Sequence, residues 1–303
     1  MAPEGPWTIV ARRNELAGAR RLVRSWRESF PPGAEGEGAR PAHGVAGRGK
    51  ILAATGAGGR ALVIKILRRG GLFSGVGGGR YGHSRLLLEM SILEEAKRRG
   101  VPTAEMAWGA SRKEPLGAPI ALLATRRVEG SLSLAEVLAS AQGAGASGSE
   151  RYDLLRRSGA AVRRMHDRGL DHSDLNIGNI LVRPPRGDSR ARALPDPLEG
   201  AGAWVIDLGV SKLGASLPPG RRAGNLVRLL RSAEKHLGAD PMRSRDAAAF
   251  LHGYLGGGEK GGRALRRAML PAIRRRLPTI ALHRLGWTLT RSASTRRPQS
   301  RPR

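Results

Sequence analysis

An imidazole, a carboxylate and an amide fall within one short run, His172-Ser173-Asp174-Leu175-Asn176-Ile177-Gly178-Asn179-Ile180-Leu181-Val182. A second carboxylate, in Asp207-Leu208-Gly209, follows the apolar run Trp204-Val205-Ile206. The first stretch sets Asp174 five positions ahead of Asn179 on a loop entering a short strand, and the second sets Asp207 where the next strand ends. This arrangement suits phosphoryl transfer from a Mg-nucleotide. The transferred group needs little covalent help, so catalysis reduces to orienting a hydroxyl with one carboxylate and holding Mg²⁺ with a separate carboxylate and amide. His172 fits another task, bracing the loop through a backbone hydrogen bond rather than taking the substrate proton. The competing account is two ordinary turns with capping Asp residues. The order of the two pieces and their apolar flanks weigh against it.

Those groups need elements to position them. Tyr152 to Arg168 reads as a helix leading into the loop, with Leu154, Leu155, Ala161, Val162 and Met165 on one buried face. Upstream, Ile51 to Ala54 and Ala61 to Leu67 are apolar runs split by Gly56-Ala57-Gly58-Gly59, the pattern of a β-hairpin. Lys65 lies near the end of its second strand, where a cation can grip phosphates. Ser84 to Arg99 has helical spacing, with Leu86, Met90, Leu93 and Ala96 on one face. Glu89 is the first candidate there to pair with Lys65; Glu94 and Glu95 compete for that role or balance Arg98 and Arg99. Ile120 to Thr125 is a buried-strand candidate, followed by the Val128-Glu129-Gly130 connection and a helix over Ser131 to Ser140.

Other stretches are irregular. Residues 31 to 49 and 143 to 148 read as loops, and Arg68 to Tyr81 as a basic glycine-rich loop, either a plain surface loop or a receiver of a charged acceptor. Between Val182 and Trp204 an Arg-, Pro- and Gly-rich insertion stands where a tight hairpin would suffice. Arg221 to Ser232 reads as a helix with Leu226, Leu229 and Leu230 inward and arginines outward. From Lys260 to Arg303 basic residues interleave with apolar ones and acidic residues are absent. Two readings stand for that tail: a membrane-surface segment broken by Pro271 and Pro278, or a basic packing helix with a disordered end.

Composition bounds the partners. At 303 residues, 40% hydrophobic, the chain can bury a large core or two lobes sharing a cleft. With no Cys, disulfide frameworks and thiolate metal sites are excluded. Early charges interrupt any secretory signal and no long apolar stretch occurs, so a cytoplasmic, soluble or peripheral protein is expected. Lys plus Arg at 53 against Asp plus Glu at 25 gives a net charge of +28, which points to polyanionic partners unless it is a bias of composition. At 4% aromatic the chain is poor in stacking platforms, and no specific nucleic acid is expected.

These residues resemble the bacterial lipopolysaccharide kinase family, in particular its members acting on 3-deoxy-D-manno-octulosonic acid (Kdo). The resemblance runs from Gly47-Arg48-Gly49 to about Lys235. Arg68-Arg69-Gly70-Gly71-Leu72 with Arg80-Tyr81, the His172 to Leu181 loop, and Asn225 to Ser232 carry it. It implies a protein-kinase-like bilobal α+β fold: an N-terminal segment at 1–46, a small β-rich N-lobe with one main helix at 47–127, a larger helical C-lobe at 128–258, and a basic, partly disordered segment at 259–303. It further implies ATP-dependent transfer to a Kdo sugar of Kdo-lipid A or a related anionic glycolipid, at an anionic membrane surface on the cytoplasmic face of the inner membrane. By the same resemblance Asp174 would accept the hydroxyl proton, Asn179 and Asp207 would hold Mg²⁺, and Lys65, braced by Glu89, would hold the phosphates of ATP. Asn176 stands where many protein kinases have a lysine, and no G-x-G-x-x-G covers the phosphates. Other acceptors remain open on the loop alone: a core heptose, a small molecule, a protein Ser/Thr. So does a non-catalytic basic binding protein on the same scaffold.

Overall fold

The computed structural model describes residues 2–5, 7–24, 51–67, 83–112, 120–139, 148–184, 202–237, 244–256 and 261–276. A six-stranded antiparallel sheet forms the small lobe, in the order β1-β2-β5-β6-β4-β3. Its strands are β1 (Ala2–Glu4), β2 (Trp7–Ala11), β3 (Ile51–Thr55), β4 (Ala61–Leu67), β5 (Met106–Arg112) and β6 (Ile120–Arg126). The expected hairpin is β3 and β4, in register Ile51 with Lys65 and Thr55 with Ala61. Side chains alternate across β4: Leu62 and Ile64 join one core and Leu67 the other. Helix α1 (Leu16–Arg24) covers the first face through Ala19 and Val23. Helix α2 (His83–Arg98) covers the second through Leu86, Met90, Leu93 and Ala96.

Two features differ from the sequence reading. Residues 2–11, expected to lie outside the small lobe, supply two of its strands, with β2 paired to β5 from Trp7–Arg112 to Ala11–Trp108. Strand β5 is buried along its whole length. A strand covered on both faces shows no polar alternation, so the stretch after Val101-Pro102 reads from sequence only as a strand-loop region and the bounds Met106 to Arg112 carried no signal.

Beyond Val128-Glu129-Gly130 the large lobe begins with β7 (Leu132–Ser133) and α3 (Leu134–Ala139). The helix expected from Ser131 starts later because Ser133 and Glu136 cap it reciprocally. Ser133 N donates to Glu136 Oε2 at 2.6 Å, and Glu136 N donates to Ser133 Oγ at 3.2 Å. Helix α4 (Gly148–Asp167) runs to the loop, and strands β8 (Leu170–Asp171), β9 (Ile180–Val182), β10 (Ala203–Val205) and β11 (Lys212–Leu213) surround it. β9 and β10 form the expected hairpin; the insertion between them lies outside the described residues, as do Gly47-Arg48-Gly49 and Arg68 to Tyr81.

Three further helices complete the lobe: α5 (Pro219–Leu237), α6 (Ser244–Leu255) and α7, over residues 261–276. A Cβ on Gly159 would stand 2.0 Å from Phe250 O and one on Gly253 1.9 Å from Arg156 O, so α4 and α6 meet backbone to backbone. Arg151 clamps the same pair from α4, donating to Asp246 at 3.0 Å from Nε and 2.7 Å from Nη2. Pro271 does not break α7, which continues through it and buries Met269 and Ala272 in the lobe's core. No helix among the described residues is long and apolar enough to cross a membrane.

Candidate active site

The loop after α4 is built on its main chain. His172 is fully buried, its Nε2 donating to Ile206 O at 3.0 Å and its Nδ1 accepting from Asp174 N at 3.2 Å. These partners fix a neutral tautomer with the proton on Nε2. Burial pushes its pKa below the ordinary imidazole range, so His172 braces the loop, as its sequence position suggested. Asp174 is exposed, and its carbonyl accepts from Asn179 Nδ2 at 3.0 Å and Asn176 Nδ2 at 3.1 Å. Asn176 Oδ1 also accepts from Gly178 N at 2.9 Å, capping the single 3₁₀ turn over Ile177–Asn179. Asn176 therefore shapes the turn that presents Asn179.

A second piece docks onto the first. Ile206 N donates to Asn179 O at 2.9 Å, which ties the end of β10 to the loop. Asp207 then adopts φ 61°, the left-handed region rarely used by non-glycine residues and often found at functional positions. Its Oδ1 takes an ion pair from Lys65 Nζ of β4, a contact between the two lobes. Gly209 follows, and a Cβ there would stand 2.3 Å from Glu89 Oε2. Only glycine lets the buried Glu89 of α2 approach that turn. Arg85, one turn earlier on α2, donates to Gly209 O at 2.9 Å and lies 3.5 Å from Glu89 Oε1.

The structure separates the three acidic residues of α2. Glu89 is 2% exposed and borders the site. Glu94 pairs with Arg12 at 3.0 Å. Glu95 takes Arg98 and Arg99 at 2.7 Å each, and the hydrogen bonds from Arg98 and then Arg99 bring its carboxyl down to about 2.

The Asn225 to Ser232 stretch of α5 carried part of the family resemblance, but none of its residues was assigned to the site from the sequence. Asn225 is buried and accepts from His172 N at 3.0 Å through Oδ1, while its Nδ2 donates to Asp171 Oδ1 at 2.7 Å. Arg228 is exposed, as expected of the arginines on this helix, and its Nη1 also donates to His172 O at 3.3 Å. Ser232 Oγ accepts from Ile177 N at 3.3 Å. Polar residues at intervals of four, three and four from Arg221 through Ser232 were the available signal, masked by the leucines between them.

Lys65, Asp174, Asn179 and Asp207 thus converge where the lobes meet. The solved structure of WaaP in complex with acyl carrier protein superposes with TM-score 0.52 at 17% identity, covering 90% of this chain and 99% of that one. That likeness shows a kinase-like bilobal fold. A 3-deoxy-D-manno-octulosonic acid kinase from Xylella fastidiosa (strain M12) is 32% identical over 225 residues, 72% of this chain and 78% of its own. Another of that name, from Xanthomonas axonopodis pv. citri (strain 306), is 32% identical over 232 residues, 75% and 81% of the two chains. Residues 62–254 match the lipopolysaccharide kinase (Kdo/WaaP) family, and with such relatives across most of its length this chain belongs to that family.

Proposed function

We propose that this protein transfers the γ-phosphoryl group of ATP to a hydroxyl of a Kdo sugar on Kdo-lipid A or a related anionic glycolipid. The observation that carries the reading is the convergence of Lys65 from β4 with Asp207, held by Ile206 and Asn179 to the loop that exposes Asp174. Asp174 would accept the hydroxyl proton as the sugar oxygen bonds to phosphorus and the bond to the ADP oxygen breaks. Lys65 would hold the phosphates, with Glu89 of α2 as its brace. The turn at Val128-Glu129-Gly130, between a small lobe ending near residue 127 and the large lobe, offers backbone groups to adenine.

The residues present fit Mg²⁺. Asn179 Nδ2 is engaged by the Asp174 carbonyl, which leaves Oδ1 as the amide's acceptor, and the bond from Ile206 N to Asn179 O brings the residue before Asp207 to the same loop. No cluster of three or more His, Asp or Glu occurs among the described residues. One carboxylate and one amide suit a metal whose other positions are filled by phosphate oxygens and water. Mg²⁺, when bound, neutralises charge on the β- and γ-phosphate oxygens.

An anionic membrane surface, on the cytoplasmic face of the inner membrane, fits the outer side of α7. Arg263, Arg266, Arg267, Arg274 and Arg275 are exposed there while Met269 and Ala272 face the core. The basic segment beyond residue 276, expected as a membrane segment or disordered tail, lies outside the described residues.

The test is transfer from γ-labelled ATP to Kdo-lipid A, beside lipid A lacking Kdo, a heptose-bearing core and a generic protein. Label on the Kdo acceptor alone is expected. Label on none, with Mg-ATP still bound, would refute the acceptor.

A further inference from the structure

The α5 face against the loop holds more cation than its structural bonds require. Arg221 lies 3.7 Å from Asp171, and the neighbouring Arg222 donates to Asp167 at 2.6 Å, so both have carboxylates. Arg228 has none among the described residues; its bond is to the neutral carbonyl of His172, two residues from the exposed Asp174. Arg231 follows one turn later on the adjoining strip, half-buried, and its Nε is buried with no hydrogen-bond partner among the described residues. That Nε is closed to solvent, but neither Arg228 nor Arg231 has a carboxylate beside it among the described residues, and a guanidinium so placed keeps its charge and its remaining donors for an incoming anion. One donor of Arg228 is used on the loop, and the fork that remains matches an oxyanion in two-point geometry.

We infer that Arg228 and Arg231 form the subsite for an anionic group of the acceptor, anchoring it so that the reacting hydroxyl reaches Asp174. This rests on the reading of the protein as a kinase of an anionic glycolipid. The recognised chemistry is an oxyanion, which such an acceptor carries both as the sugar carboxylate and as lipid phosphate. The position explains the selection: the anchor shares the His172 to Asp174 turn with the proton acceptor, yet neither arginine ion-pairs with Asp174.

The test is steady-state kinetics of the full chain and of Arg228→Gln, Arg231→Gln and the two Arg→Lys variants. The KM for Kdo-lipid A is expected to rise about tenfold or more in each Gln variant, the equivalent of one lost charge-assisted contact. The KM for ATP should stay within about twofold, with the Lys variants recovering part of the loss because they keep the charge but not the fork. Two altered acceptors locate the contact. If the penalty disappears on carboxyl-reduced Kdo, the arginines hold the carboxylate; if it disappears on dephosphorylated lipid A, they hold a lipid phosphate. A penalty undiminished on both overturns the subsite. So does an unchanged acceptor KM in both Gln variants, or an equal rise in the KM values of acceptor and ATP. Failure of the wild-type protein to label Kdo-lipid A at all would instead remove the functional reading on which the subsite rests.

Discussion

A carboxylate that receives a proton from a hydroxyl has to be held in place without being neutralised. Asp174 meets that condition through its main chain, whose N–H and carbonyl are fixed by His172, Asn176 and Asn179. Asp174→Ala should therefore lower kcat by about 10²–10⁴ while leaving Mg-ATP affinity nearly unchanged. Turnover in that variant comparable with wild type would remove Asp174 from its role. Asp207→Ala should do the opposite and weaken Mg-ATP binding, which titration calorimetry would show. Gly209 gives a steric prediction. A methyl there would stand 2.3 Å from a carboxylate oxygen of a residue that is 2% exposed and has little room to retreat. Gly209→Ala should lower stability by about 1–3 kcal/mol and displace Asp207 with it. A melting temperature and ATP affinity equal to wild type would show that Glu89 yields freely.

At the scale of elements, four helices meet at one buried polar cluster. His166 of α4 bonds Tyr254 OH of α6 at 2.8 Å through Nδ1 and Asn225 Oδ1 of α5 at 3.4 Å through Nε2, while Met269 of α7 lies 3.9 Å from the same hydroxyl. Because Asn225 also holds His172 N, the cluster joins helix packing to the loop that carries Asp174. Tyr254→Phe leaves a buried imidazole acceptor without its donor and should cost about 1–3 kcal/mol by chemical denaturation. Burial pushes the His166 pKa down from 6.5 to about 3. The unfolded chain then binds a proton that the native one refuses, so this contribution is whole above pH 6.5 and is lost as pH falls toward 3. The slope is at most about 1.4 kcal/mol per pH unit. His166→Gln should narrow the stability difference between pH 7.5 and pH 5 relative to wild type, and an unchanged difference would exclude His166 as its source. None of this was legible beforehand, because contacts among residues 166, 225, 254 and 269 depend on how helices cross. The helices themselves were legible: α2 and α4 show their buried faces as leucine, methionine and alanine at helical spacing. The Asp174, Asn179 and Asp207 positions were legible too, since each sits on local loop geometry beside an apolar strand. Strand β5 was not, for lack of alternation, nor was the burial of the α7 apolar face.

For the whole molecule, the distribution of charge matters more than its sum. Acidic side chains are drawn into specific pairs: Glu15 and Glu105 with Arg126 at 3.1 and 3.0 Å, and Asp246 with Arg151 at 2.7 Å. A chain of +28 has more basic side chains than carboxylates to pair with them. On α7 the helix positions sort them, with Met269 and Ala272 inside and Arg266, Arg267, Arg274 and Arg275 outside. Met269, Ala272, Leu265 and Ile273 of this helix are used in packing and Leu270 alone of its large apolar side chains is exposed, so its attraction to a bilayer would be mainly electrostatic. Each basic residue close to an anionic surface is worth about 1 kcal/mol at most, and the attraction decays within a Debye length of about 8 Å at physiological salt. The full chain should therefore float with vesicles containing anionic lipid, stay behind with neutral ones, and release as salt is raised. Replacing Arg266, Arg267, Arg274 and Arg275 together with Gln should weaken anionic-vesicle binding by up to about a thousandfold without changing the melting temperature, since none of the four is buried. Binding retained at high salt would point to apolar insertion from outside this helix. Binding unchanged in the quadruple variant at low salt would place the membrane-facing charge on another surface.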